Sequence, residues 1–152
     1  MNQTAIQDYY PDDYAHCHGC GRLNKTGTQL KSYWQGDYAI AHHKPNPAHT
    51  GGVPGFAYGG LIASLLDCHG TATAAAAAYA AENRSLDSAP FMRFVTGSLT
   101  VDYLKPTPLD TELEIKGTLV EIAGRKATVV LTLSANGDVC AKGKMIAIRL
   151  QQ

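Results

Sequence analysis

The sequence predicts an α+β fold in which one long antiparallel β-sheet wraps around a single central α-helix. Three observations carry that expectation. One apolar stretch of helical period, about residues 57–83, interrupts an otherwise strand-like chain. Four long alternating segments follow it, at 94–104, 111–121, 127–134 and 139–150. Two shorter ones precede it, at 28–34 and 38–43. A helix that is apolar on several sides and strands with one apolar face satisfy each other when the sheet curls round the helix.

The chain has 152 residues, enough for one domain with a substantial core, and the expected organisation is a single domain over 1–152 with an irregular lead-in over about 1–27. Apolar residues make up 45% and charged residues 17%, a globular balance. The formal net charge is zero and no basic stripe stands out, which argues against nucleic acid as a partner. No apolar run is read as reaching the roughly 18–20 residues of a membrane span. The N-terminus lacks a basic segment followed by an apolar one, so the expected location is cytoplasmic. Cys17, Cys20, Cys68 and Cys140 are then expected to be free thiols rather than a disulfide framework.

Each element has its own signal. Gln35-Gly36-Asp37 turns the first hairpin, and the prolines and glycines of 44–56 make a loop. In the helix, Leu61, Leu65, Cys68 and Ala72 share one stripe, with Ile62 and Leu66 beside it. Ala74 to Ala78 gives small residues where close packing on several sides is needed. Asn83-Arg84-Ser85 ends the helix, Lys105-Pro106-Thr107-Pro108 breaks the next strand, and 123–126 and Asn136-Gly137 turn the last two hairpins.

The chemistry-bearing residues cluster at and after His49–Gly60, a glycine-rich turn that opens the helix. The N–H groups of Gly59 and Gly60 lack intrahelical acceptors and sit at the positive end of the helix dipole, so they suit an oxyanion. The alternative is a tight turn packed close to the sheet. Asp67 is the one acid in the apolar helix, costly there unless partnered or functional. Ser64 and Thr71 are possible structural partners for it. His69 lies about 200° round the helix from Asp67, so it reads as a partnered core residue. Cys68 shares the apolar stripe, and an adjacent carboxylate raises a thiol pKa, which argues against a nucleophile. His16, Cys17, His18 and Cys20 are metal-ligand types, but four donors within five residues do not readily surround one ion, and no metal is expected.

In order along the chain, Cys17-His-Gly-Cys-Gly21 with Asn24 and Gly27, the loop His49–Gly60, Leu65-Leu66-Asp67, and Thr96 to Pro106 resemble the hotdog-fold acyl-CoA thioesterases, in the phenylacetate-pathway and 4-hydroxybenzoyl-CoA thioesterase-like branch. The resemblance spans about residues 16–149. It differs at the helix start, where Tyr58 stands in place of a usual histidine, and after the acid, where Cys68 and His69 follow.

The resemblance implies hydrolysis of an acyl-CoA thioester to free acid and CoA, with no cofactor beyond the CoA of the substrate. It implies Gly59 N–H as oxyanion donor, Asp67 as base or nucleophile, and Thr96 as the residue that holds the attacking water or the carboxylate. Gly60, Tyr58, His49 and Asn46 would bind the substrate, with Tyr58 on the acyl side and His49 or Asn46 standing in for an asparagine that orients the nucleophile or water in some members. Arg125 and Lys126 would meet CoA phosphates, with Arg93 and Lys105 as further candidates. Gly59 and Asp67 are eight residues apart, ~12 Å along a helix axis, so one carbonyl cannot meet both on one chain. The expected assembly is therefore a homodimer, or a dimer of dimers, with sites between subunits. The alternatives are a hydratase or dehydratase on the same scaffold, and a non-catalytic acyl-CoA-binding regulatory protein.

Overall fold

The structure is a computed structural model that describes residues 3–151. Six strands and one helix follow two short 3₁₀ turns, Ile6–Tyr9 and Asp12–Tyr14. The strands are β1 (Ser32–Trp34), β2 (Ala39–His43), β3 (Phe94–Tyr103), β4 (Leu113–Ala123), β5 (Lys126–Ala135) and β6 (Asp138–Arg149). Helix α1 runs Gly59–Ala81. The strands form one antiparallel sheet in the order β1-β2-β4-β5-β6-β3, and α1 packs across it, which is the hotdog fold.

Local chemistry accounts for the elements. Asn136 and Gly137 both have positive φ, 52° and 82°, as the tight β5–β6 turn requires. Asn83 takes φ 53° just past the helix. There Arg84 N–H bonds Tyr79 O at 2.9 Å and Asn83 N–H bonds Ala80 O at 3.0 Å, a Schellman stop. Alternation on β5 turns Ala127, Val129, Leu131, Leu133 and Ala135 inward onto the helix. The sheet approaches so closely that a Cβ on Gly117 would meet Thr73 Oγ1 at 2.3 Å and one on Gly70 would meet Met145 Cε at 2.6 Å. Ala74 to Ala78 are buried for the same reason.

Three expectations are corrected. The first strand is only Ser32–Trp34, because residues 28–30 pair with the lead-in instead: Thr28 N–H bonds His18 O and Leu30 N–H bonds Gly19 O. The lead-in is not merely irregular. Ile6 and Tyr10 pack with Ala39, Ala72 and Ala76, covering a helix face that the main core leaves open. Finally, α1 is long and apolar enough to cross a membrane by length and composition alone. It is mostly buried within the fold, and that two-sided burial explains a helix apolar all round.

A buried polar network fixes α1 to β1 and β2. His69, fully buried, bonds Ser32 Oγ through Nδ1 at 2.8 Å and Ala39 O through Nε2 at 3.0 Å. Ser32 also receives Gln7 Nε2 at 3.0 Å, and its N–H donates to Gln7 Oε1 at 2.8 Å. A carbonyl can only accept, so Nε2 carries the proton and Nδ1 accepts from the Ser32 hydroxyl. Burial holds the imidazole neutral, with its pKa lowered to about 4.

Candidate active site

The helix start is open. Tyr58 occupies the N-cap position with extended backbone, φ −71° and ψ 150°, and makes no side-chain cap. Leu61 N–H bonds Tyr58 O at 3.1 Å, while the N–H groups of Gly59 and Gly60 have no acceptor among the described residues. A capping Ser or Asp would have filled this place. The Tyr103 hydroxyl, at the end of β3, donates to Gly59 O at 2.8 Å and pins the first turn to the sheet. A cavity of about 260 Å³ opens beside it, lined by Gly59, Ile62, Tyr103 and Lys105 among others.

Tyr58 folds back over the first turn, where a Cβ on Gly60 would meet its ring at 2.6 Å. Its other neighbour is His49, edge-on with ring centroids 6.0 Å apart. His49 O accepts the Tyr58 N–H at 3.1 Å, so the loop and the helix start are joined by backbone as well. His49 Nδ1 and His43 Nε2 are buried without a hydrogen-bond partner among the described residues. Burial and the nearby His49 lower the His43 pKa. Asn46 is exposed, and its side-chain oxygen accepts the Ala48 N–H at 2.8 Å, so this residue shapes the loop turn.

Two turns along the helix, half-buried Asp67 meets β3. The Thr96 hydroxyl donates to Asp67 Oδ1. Thr96 lies where β3 slips register against β6, between Thr96 and Ser98, and such a bulge re-aims the local side chains. Asp67 Oδ2 has no protein partner among the described residues. Ser64 and Thr71 do not hold Asp67; Thr71 Oγ1 donates to Cys68 O at 3.2 Å. The candidate oxyanion donor and the candidate carboxylate thus remain apart on one chain, eight residues along α1.

Cys68 is buried, and hydrogen bonds with Cys17 and Cys20, then burial, push its thiol up, which disfavours a nucleophile. Both ring nitrogens of His69 are engaged in the core network, so it cannot relay a proton for Asp67.

Arg125 sits at the β4–β5 turn, its Nε donating to Arg149 O at 2.9 Å. Arg125 and Arg149 line a cavity of about 620 Å³ with Phe91 and Leu150. Arg149 pairs with Phe94, two residues before Thr96, so this basic cavity lies at the Thr96 end of β3. Lys126 is exposed beside it at the start of β5. Lys105 is near the other end and faces Asp138 at 3.8 Å. Arg93 is not a rim group: its guanidinium stacks 4.9 Å over the Tyr10 ring, with one nitrogen buried and unpartnered among the described residues. Tyr103 and Arg149 were not singled out as site residues by sequence reasoning. A tyrosine closing a strand before Leu-Lys-Pro was the available signal for the first; for the second, only the fold shows the pairing.

Comparison with known proteins agrees with this architecture. Residues 54–142 match the model of the thioesterase superfamily. A solved thioesterase superfamily protein from Shewanella loihica PV-4 is 45% identical, covers 93% of this chain and 100% of its own, and superposes with a TM-score of 0.69. The Escherichia coli PaaI protein, from the phenylacetic acid degradation operon, shares the fold at 16% identity and a TM-score of 0.60, over 80% of this chain and 78% of its own. The rat acyl-coenzyme A thioesterase THEM4 is 31% identical over 90 residues, 59% of this chain; the chain spans about a third (33%) of that relative's length. The chain belongs to the thioesterase superfamily.

Proposed function

We propose that this protein is an acyl-CoA thioesterase, hydrolysing a thioester to the free acid and CoA at sites formed between two subunits. The observation that carries the reading is a half-buried carboxylate, Asp67, held at one oxygen by Thr96, on a helix whose first-turn N–H groups are left uncapped. Thioester hydrolysis needs those two parts: donors for the carbonyl oxygen and a base or nucleophile for the carbonyl carbon.

In the proposed reaction the thioester oxygen rests on Gly59 N–H of one subunit. Asp67 of the other subunit uses Oδ2 to take a proton from water, or attacks the carbonyl carbon itself. Thr96 keeps the carboxylate oriented through Oδ1. The C–S bond breaks, the sulfur leaves as the CoA thiolate and takes up a proton, and water supplies the second oxygen of the acid. Gly60, Tyr58, His49 and the Asn46 turn form the acyl side. Arg125 and Lys126, joined by Arg149, meet the CoA phosphates.

The edge strand β3 supports this subunit arrangement. This edge strand pairs only with β6 among the described strands, and most of its residues are exposed. Thr96 touches Asp67 near one end and Tyr103 touches Gly59 at the other. Antiparallel pairing of two β3 edges across a two-fold axis would set the Asp67 end of one chain against the Gly59 end of its partner. A hydratase would pair the acid with a histidine, and His69 is fully engaged elsewhere.

The test is a panel of aliphatic and aromatic acyl-CoA thioesters, followed by thiol release. Turnover of at least one class by the wild type, with loss in Asp67→Asn, is the expected result. Binding without cleavage across the panel would favour the regulatory alternative, and full activity in Asp67→Asn would end the proposed mechanism.

A further inference from the structure

Three of the four cysteines meet at a place the thioester chemistry does not use. The Sγ atoms of Cys17, Cys20 and Cys68 all lie within 4.8 Å of one another. Cys17 and Cys20 come from the lead-in; Cys68 comes from α1, one residue after Asp67. Within the lead-in, the candidate donors lie inside five residues and do not readily surround one ion. The fold adds a third thiol from 48 residues further on.

From this convergence, we propose that Cys17, Cys20 and Cys68 form a binding site for one thiophilic divalent ion of the zinc type, with solvent as the fourth ligand. Four features of the geometry support it. Sulfurs about 2.3 Å from a tetrahedral ion stand about 3.8 Å apart, and Cys17 Sγ and Cys68 Sγ are 3.8 Å apart. Gly19 N–H already donates to Cys17 Sγ at 3.3 Å, the outer-shell support that orients a metal-bound thiolate. A Cβ on Gly19 would meet Cys68 Sγ at 2.4 Å, so only glycine there lets the helix thiol reach the loop. Cys17 is exposed, giving the ion an entry path and a water, while Cys20 and Cys68 are buried at 3% and 6% exposure.

The three sulfurs bind as thiolates, any thiol protons leaving to solvent, so with one divalent cation the site carries a single net negative charge. A disulfide would use only two of these three sulfurs. His16 and His18 are exposed and outside the cluster, so they are not assigned to it. The ion would tie the lead-in to the helical turn that carries Asp67.

The experiment uses the full chain, reduced and stripped with a chelator, then titrated with Co²⁺ and with Zn²⁺ in competition. The expected result is one Co²⁺ per chain with a sulfur-to-cobalt charge-transfer band, displaced by Zn²⁺. Removing one ligand in Cys68→Ser or Cys17→Ser weakens binding by at least the ~100-fold that losing an outer-shell partner can cost. Cys140→Ser, on β6, binds as the wild type does. Zn²⁺ raises the thermal midpoint of the wild type and not of Cys17→Ser. Cys17 is exposed, so that variant decides the matter if Cys68→Ser fails to fold. Absence of the charge-transfer band, or its survival in Cys17→Ser, overturns the proposal. So does a reduced chain that takes no cobalt yet loses two hydrogens by mass on air oxidation, which would mark a redox pair instead.

Discussion

The Thr96 hydroxyl donates a hydrogen bond to the Asp67 carboxylate, and this contact couples the central helix to the bulge of the edge strand. It leaves Oδ2 without a protein partner among the described residues. Thr96→Val keeps the shape and removes the donor. A hydrogen bond to a charged group contributes about 1.5–3 kcal/mol, so kcat is expected to fall roughly 10- to 100-fold with KM little changed. Steady-state kinetics on a cleaved acyl-CoA checks this; an unchanged kcat would remove Thr96 from the mechanism.

If each site takes Gly59 from one subunit and Asp67 from the other, two inactive variants complement each other. Gly59→Val and Asp67→Asn are mixed after reversible dissociation. Half of the random dimers are hybrids, each with one intact site, so about a quarter of wild-type activity returns. Activity no higher than that of the separate variants would place both groups in one subunit's site.

Tyr103→Phe removes the bond to Gly59 O, 2.8 Å long, without changing the ring. Tyr103 is 53% exposed, so the stability loss should be modest, about 0.5–1.5 kcal/mol. The larger effect is expected in kcat, because the first turn that presents the Gly59 N–H is no longer pinned. A thermal shift with unchanged kcat would make Tyr103 a purely structural residue.

Stability should also depend on His69. Its folded pKa, about 4, lies below the ordinary 6.5. Between those values the unfolded chain binds a proton that the folded chain refuses. Stability therefore falls as pH drops from about 6.5 to about 4, and the group adds no slope above that range. The total loss is on the order of 3 kcal/mol. Urea midpoints measured from pH 7 to pH 4 should show a steeper decline for wild type than for His69→Gln. Parallel declines would mean that the imidazole charges in the folded state without cost.

Most of the architecture is legible in the sequence. The Asn136-Gly137 turn, the alternation of β5, and the all-round apolar helix are local signals, because backbone φ and side-chain period act within a few residues. The expected first strand, 28–34, exceeds the observed Ser32–Trp34 for the opposite reason. Residues 28–30 alternate suitably, but their backbone partners are His18 and Gly19, and alternation does not reveal which segment a strand will meet.

The same division runs through the site. Residue types in order single out Gly59 and Asp67, since a glycine-rich helix start and a lone acid in an apolar helix are visible in the sequence, while Thr96 is implied by the family resemblance. Their spacing alone also determined that the first two do not share one carbonyl within a chain. Only tertiary structure decided that Thr96, rather than Ser64 or Thr71, holds Asp67, that Tyr103 ties down Gly59, and that Arg93 stacks on Tyr10 while Arg149 joins Arg125. It also brought Cys68 to Cys17 and Cys20. These are contacts between segments far apart in the chain. Their partners are chosen by sheet register and core packing, which no local pattern of residues encodes.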